Sequence, residues 1–172
     1  MPTIRKTMQS GLAVTVVALV LLMVAAGIAL FTPGLISPSP DTYEQTTVVF
    51  DDDAHEVEVF VADTFWTRYV GLAGFDSLEP GEGMLFVHGS VDERTYTMRD
   101  MDFGLDIIFI DDRGIITGIH HASEPITGTG QFHRYSGTGK YVVEVSEGFT
   151  NETGITIGDS VTIDGELEDK QN

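Results

Sequence analysis

Cysteine is absent from the 172 residues, which excludes disulfides, thiolate zinc sites, iron–sulfur clusters and cysteine nucleophiles. Basic residues are scarce: nine Lys and Arg stand against 27 Asp and Glu, a formal charge of −18. Nucleic acid and anionic lipid head groups are held chiefly by Lys and Arg, so a chain this acidic repels both. The length allows one ordinary domain and a short extra segment, which excludes multi-domain machinery. There is no internal repeat, and neither a His-x-His nor a His-Glu-x-x-His pattern occurs. What is present argues for a folded, turn-rich body, because 42% hydrophobic residues and 19 glycines are beyond what an acidic disordered chain carries.

Residues 12–31, LAVTVVALVLLMVAAGIALF, carry no charge. At ~1.5 Å per residue a helix of this length matches a hydrocarbon core of ~30 Å. A cleavable signal has an apolar core of only ~7–15 residues, so the length favours a retained anchor, although Ala25, Ala26 and Gly27 also offer small residues to a peptidase. Arg5 and Lys6 precede the segment and no acid occurs before Asp41. The positive-inside bias then places residues 1–11 in the cytoplasm and the remainder outside a cell membrane crossed once. Pro33, Pro38 and Pro40 interrupt any continuing helix, which makes residues 32–45 a linker. The expected organisation is completed by an extracytoplasmic domain over 46–164 and an acidic tail over 165–172. All 27 acids and only seven of the nine bases lie beyond the apolar segment, scattered through it and not confined to one tail. Self-repulsion on that scale disfavours a compact state in dilute buffer and is screened in molar salt, which predicts a surface adapted to a halophile.

Period-two alternation in 56–61 and 141–145 predicts half-buried strands. Further strands are expected at 46–50, 84–87, 94–98, 106–110, 115–120 and 160–163, with a tight hairpin at Asp111-Asp112-Arg113-Gly114. Short helices are expected at 64–72, capped by Asp63 or Thr64, and at 147–152, ended by Gly154. The predicted fold is mainly β: an antiparallel sandwich or squashed barrel of about eight strands with one or two short helices, preceded by one transmembrane helix.

The run Met98-Arg99-Asp100-Met101-Asp102-Phe103-Gly104-Leu105-Asp106-Ile107-Ile108-Phe109-Ile110 resembles the central signature of the domain-of-unknown-function family 192. Four other stretches agree in order: Ala62-Asp63-Thr64 with Arg68 and Gly71-Leu72; 81–86; Tyr135-Ser136-Gly137 with 141–145; and Gly154-Ile155 with Gly158-Asp159. The resemblance spans about residues 56–163. Where that family commonly has Trp-Met-Lys-Asn and Pro-Leu-Asp, this chain has Thr97-Met98-Arg99-Asp100 and Gly104-Leu105-Asp106. The resemblance implies a compact β domain, often secreted or membrane-tethered in bacteria and archaea, with no established activity.

Several residues invite chemistry. Asp106 enters an apolar strand and needs compensation if buried, and Arg99 is the nearest base, so an Arg99–Asp106 ion pair is expected at the mouth of the main cleft. Glu144 shares a strand face with Val142, and if it converged with Asp106 the two carboxyls could act as acid and base on a glycosidic bond. His120 and His121 point to opposite faces, and with His88 and His133 they come from separate segments, so no metal site is expected. Phe132, His133, Arg134 and Tyr135, flanked by Thr127-Gly128-Thr129-Gly130 and Ser136-Gly137-Thr138-Gly139, read as a mobile loop able to clasp a sugar or a carboxylate. Asn151-Glu152-Thr153 is a glycosylation sequon. The first reading is a binding module, without cofactor, taking a small ligand or an envelope component through Met98, Arg99, Asp106, His121, Arg134, Tyr135 and Glu144. The rivals are an envelope glycan hydrolase using Asp106 and Glu144, and a structural partner of another membrane protein.

Overall fold

The computed structural model describes residues 40, 43–50, 55–126 and 128–164. The chain divides into two units, Met1–Ile36 and Ser37–Asn172, and every described residue belongs to the second. The apolar segment 12–31 and the tail 165–172 lie outside the described residues. Among the described residues, no helix is long and apolar enough to cross a membrane.

Seven strands form one sheet: β1 (Gln45–Phe50), β2 (His55–Ala62), β3 (Glu82–Thr97), β4 (Leu105–Ile110), β5 (Ile116–Ala122), β6 (Arg134–Ser146) and β7 (Val161–Ile163), in the spatial order β5-β4-β6-β3-β2-β1-β7. All neighbours run antiparallel except β2 and β3, which pair in parallel with Phe60 opposite Met84. A parallel pair needs a crossover, and residues 63–81 supply it, including helix α1 (Phe65–Val70). Thr64 starts α1 through a reciprocal cap: its hydroxyl accepts from the Thr67 amide at 3.1 Å, and the Thr67 hydroxyl accepts from the Thr64 amide at 3.0 Å. Helix α2 (Phe149–Thr153) ends at Gly154 with a left-handed φ of 80°.

The two edges of the sheet meet. Ile115 bridges Ser160, the Ile116 amide donates to the Asp159 carbonyl at 3.0 Å, and the Val161 amide donates to the Gly114 carbonyl at 2.7 Å. The sheet is therefore a curled half-barrel and not two facing layers. Its inside is filled from every strand, by Val48, Phe50, Val57, Leu85, Ile108, Ile116, Tyr141, Val143, Val161 and Ile163 among others. Its outer face is also apolar, with Phe60, Met84, Phe86, Leu105, Ile107, Phe109 and Val142 packed against Leu72, Leu78, Met98 and Met101 from the crossover and from the segment before β4. Central strands covered on both faces lose alternation in favour of continuous apolar runs, and all six residues of β4 are buried.

The expected strands recur with two corrections. Residues 84–87 and 94–98 belong mainly to a single 16-residue strand, β3, whose register against β6 jumps between Val87 and Asp92. The excess residues make a wide bulge around His88 to Val91, and the polar, glycine-containing sequence there reads as a break. This gives seven strands among the described residues instead of about eight. The supposed mobile loop is largely ordered strand: Arg134 to Gly139 open β6, opposite Asp92 to Thr97. Gly137 serves space and not flexibility, because a Cβ there would stand 2.5 Å from Cγ of the buried Phe109 ring. The hairpin between β4 and β5 forms as expected. Gly114 has φ of 79°, and the Asp111 carboxylate accepts from the Arg113 and Ile115 amides at 2.8 and 2.9 Å.

Candidate anion-binding cleft

A cleft of about 280 Å³ opens on the outer face between the end of α1, the bulged half of β3 and the segment leading to β4. Glu144 lies in it. In β6 it sits opposite Met84 on one side and Ile107 on the other, both fully buried. It has no hydrogen-bond partner among the described residues, and burial pushes its carboxyl up to about 8. At neutral pH it is therefore a protonated, neutral donor.

Cations line the same cleft as this neutral acid. Arg68, Arg94 and Arg99 all line the cleft. They are three of the seven bases that follow the apolar segment, and Glu144 is the only acid lining the cleft. Arg68 reaches from α1 to the Asp63 carbonyl and, at 2.9 Å, to the Val87 carbonyl, which ties the helix to the start of the bulge. Arg94 donates to the Ser90 carbonyl at 2.8 Å and so braces the bulge from within. Arg99 donates to the Tyr69 carbonyl at 2.9 Å, and its guanidinium lies 4.4 Å from the centre of the Tyr69 ring. The Nε atoms of Arg94 and Arg99 are buried without a hydrogen-bond partner. Arg99 Nε stands 3.9 Å from the Asp100 carboxylate, an ion pair beyond hydrogen-bond distance, whereas Arg94 Nε has no acceptor beside it.

His88 and Tyr96 complete the wall, with His88 Nε2 and the Tyr96 hydroxyl 2.9 Å apart. Burial, then Arg94, then Arg68 push His88 down to about 4, so it is neutral at pH 7. The Tyr96 hydroxyl is pushed up, by burial first and by Glu144 second. Alternation along β3 puts Phe86 and His88 on one face, and after the bulge Arg94, Tyr96 and Met98 return to it. A bulge re-aims side chains in this way beside binding sites.

The residues singled out in the sequence divide between places. Arg99 and Glu144 line the cleft, and Met98 is buried in the core beside it. Asp106 pairs in register with Val145, the neighbour of Glu144, so the two carboxyls point to opposite faces of the sheet. The structure does not bring them together for acid–base work on one bond. The Arg99–Asp106 pair does not form either. Asp106, fully buried, accepts from His121 Nδ1 at 2.8 Å and from the Thr150 amide and hydroxyl at 2.8 and 2.7 Å. Burial alone would raise its carboxyl, but these donors and the Gly148 amide outweigh it and hold the group below the ordinary range. Asp106 thus pins the start of α2 to β4, and its compensation comes from a helix 44 residues downstream instead of the nearest base.

Arg134 is exposed at the start of β6, and Tyr135 is half-buried against His120. Asn151 is exposed on α2. Among the described residues, no three His, Asp or Glu side chains are grouped to hold a metal ion. Asp100 stands where the resemblance expected an amide, with a left-handed φ of 56°. Asn and Asp are the non-glycine residues that tolerate this conformation, so the replacement keeps the turn. Sequence reasoning missed Arg68, Tyr69, Arg94 and Tyr96 as cleft residues and considered His88 only as a metal ligand. The available signal was Arg94 in a strand of a chain with so few bases.

A half-barrel closed at one corner, with both sheet faces buried and an arginine-lined cleft on the outer one, defines a small, mainly β domain. The chain belongs to the DUF192 family, described as uncharacterized ACR, whose model matches residues 47–163. No curated protein matches it. Two crystal structures are similar. A candidate transcription regulator from Sinorhizobium meliloti is 25% identical, with a TM-score of 0.64 over 70% of this chain and 95% of that one. A protein of unknown function from Novosphingobium aromaticivorans is 26% identical, with a TM-score of 0.61 over 70% of this chain and 84% of that one.

Proposed function

We propose that this domain is a binding module, not an enzyme, and that the outer cleft takes a small anionic group such as a carboxylate or phosphate. One observation carries the reading: in a chain of net charge −18, three arginines line one cleft whose only acid is neutral at pH 7. An anion there would be drawn by the Arg68, Arg94 and Arg99 guanidinium groups that line the cleft and would accept from the protonated Glu144 carboxyl. Phe86, Leu105 and Met101 add apolar walls, and each of those bonds strengthens where the ligand displaces water against them.

Ligand binding to the native state raises its melting point. Sodium salts of small carboxylic acids and phosphate, each compared with sodium chloride at equal ionic strength, should raise the melting temperature of the wild type. Arg94→Gln and Arg99→Gln should abolish the rise. Affinity should also fall as pH passes about 8 and Glu144 ionises. Equal responses to every salt, or an unchanged response in both variants, would remove the reading.

The same proposal holds the domain outside the cell, on residues 12–31 as a retained anchor, because an uncharged 20-residue apolar run follows Arg5 and Lys6. Protein recovered from membranes should keep its first residues and require detergent. A soluble form beginning near Gly27 would show a cleaved signal instead.

A further inference from the structure

The second half of β3 has an open edge on the cleft. Its Asp92–Thr97 stretch pairs with β6 on one side. Its other neighbour, β2, is in register only with Glu82 to Phe86. Beyond Phe86 no described strand takes the second edge. Side chains along a strand alternate between faces, yet Arg94, Thr95, Tyr96 and Thr97 all line the cleft in succession. The cleft therefore meets this strand along its backbone edge. Peptide groups on such an edge that point away from β6 can take a partner strand, apart from the Glu93 amide, which already donates to the Asp92 carboxylate at 2.8 Å.

The cleft is small. At about 280 Å³ it lies just below the ~300–1,000 Å³ of typical ligand pockets, so it suits the end of an extended ligand. One turn before the lining residue Tyr69, Phe65 is 74% exposed and lies parallel to the Tyr69 ring, with ring centres 6.2 Å apart and an interplanar angle of 12°. Trp66 also stacks on Tyr69, at 5.9 Å. Aromatic surface thus continues along α1 from the Tyr69 ring, on which the Arg99 guanidinium lies, to Phe65 and Trp66.

From the open edge, the arginine cluster and the aromatic surface together, we infer that the ligand is the carboxyl terminus of a peptide chain. The peptide adds to β3 as an extra strand, its terminal carboxylate lies among Arg94 and Arg99, and an apolar side chain rests on Phe65 and Trp66. Main-chain bonds to a sheet edge give affinity in such recognition, and capture of the terminal charge sets the register. This inference rests on the anion-binding reading and narrows it from any small anion to a chain end.

The test uses the full chain in detergent against a library of peptides displayed with free carboxyl ends. The best binder is then measured by calorimetry in four forms: as the acid, as the C-terminal amide, N-methylated at alternate residues, and cut down to its N-acetylated last residue. The acid should bind most tightly, with each of the other three weaker by ~10-fold or more, since each loses charge-assisted or main-chain bonds. Arg99→Gln should bring the acid down to the level of the amide. An amide or an N-methylated peptide binding as well as the acid overturns the inference. So does failure of the library to yield a binder while small carboxylates still raise the melting temperature, and the anion reading then survives. No response to peptides or to small anions removes both.

Discussion

Replacing Glu144 with Gln removes the ionisable proton from the cleft floor while keeping shape and volume. An ordinary glutamate titrates at 4.5, and burial moves Glu144 to about 8 in the folded protein. The folded state therefore holds a proton that the unfolded state has released, over the whole interval between those values. Stability must fall with rising pH across it, at ~1.36 kcal/mol per pH unit. Below 4.5 both states are protonated and Glu144 costs nothing. At pH 7 the accumulated cost is about 3 kcal/mol, and above about 8 it levels off at about 5 kcal/mol, where the folded protein carries a buried carboxylate.

The amide variant has no such dependence. Urea unfolding of wild type and Glu144→Gln at pH 5, 7 and 9, in one salt concentration, should give a proton-linked difference in favour of the variant of below ~1 kcal/mol at pH 5, about 3 at pH 7 and about 5 at pH 9, before any constant offset from the amide itself. A buried amide that finds no partner adds a constant penalty of ~1–3 kcal/mol. That displaces the difference curve without bending it, so the curvature between pH 5 and 9 carries the test. A difference independent of pH would refute the raised carboxyl, and with it the neutral floor of the cleft.

Asp106→Ala should destabilise by ~3–5 kcal/mol, because the Thr150 amide and hydroxyl are left buried and unpaired, whereas His121→Ala should cost about 1 kcal/mol since that ring is half exposed; thermal melts read both. The Asp106 carboxyl is held below its ordinary value of 3.8, so its contribution is complete above that pH and is lost as pH falls through the folded value, a loss that acid titration of wild type against Asp106→Asn will detect. Gly137→Ala should cost ~1–3 kcal/mol in chemical unfolding through its clash with Phe109, where a loop glycine would cost far less. Dialysis from molar salt, where the Debye length is ~3 Å, to 0.1 M, where it is ~10 Å, should lower the melting temperature of the wild type, and salt-independent melting would remove the halophile reading.

Much of the fold was legible because its strands obey period two or are short apolar runs between turn residues. The β4–β5 hairpin, the cap at Thr64 and the stop at Gly154 follow from local chemistry that reads the same in isolation as in the fold. The strand count failed at β3 for a physical reason. A bulge places extra residues opposite a regular partner, so it interrupts the pattern of one chain while the ladder continues. Glycines at 137 and 139 misled in the same direction, because sequence does not distinguish a glycine needed for φ from one needed for room. The site was partly visible. Glu144 stood out as an acid inside an apolar strand, but Arg68 and Arg94 reach the cleft only through a parallel crossover and a re-aimed bulge, and neither has a local signature.

The two buried acids show where distance in sequence misleads about chemistry. Asp106 and Glu144 occupy adjoining strands one register step apart, each set in an apolar run, and a linear reading treats them as equivalent. Their difference lies in what reaches them. Asp106 points toward α2, whose Thr150 and Gly148 donors, with His121, offset its desolvation and leave it ionised. Glu144 points to the opposite face, where three arginines line the cleft but bond backbone carbonyls instead of its carboxyl, and it stays protonated. A charge fully met by its neighbours has no capacity left for a ligand, so Asp106 holds the fold together. Glu144 keeps a proton that no neighbour takes, in a cleft lined by Arg68, Arg94 and Arg99, and that uncompensated burial is the physical ground for the proposal that a ligand binds there.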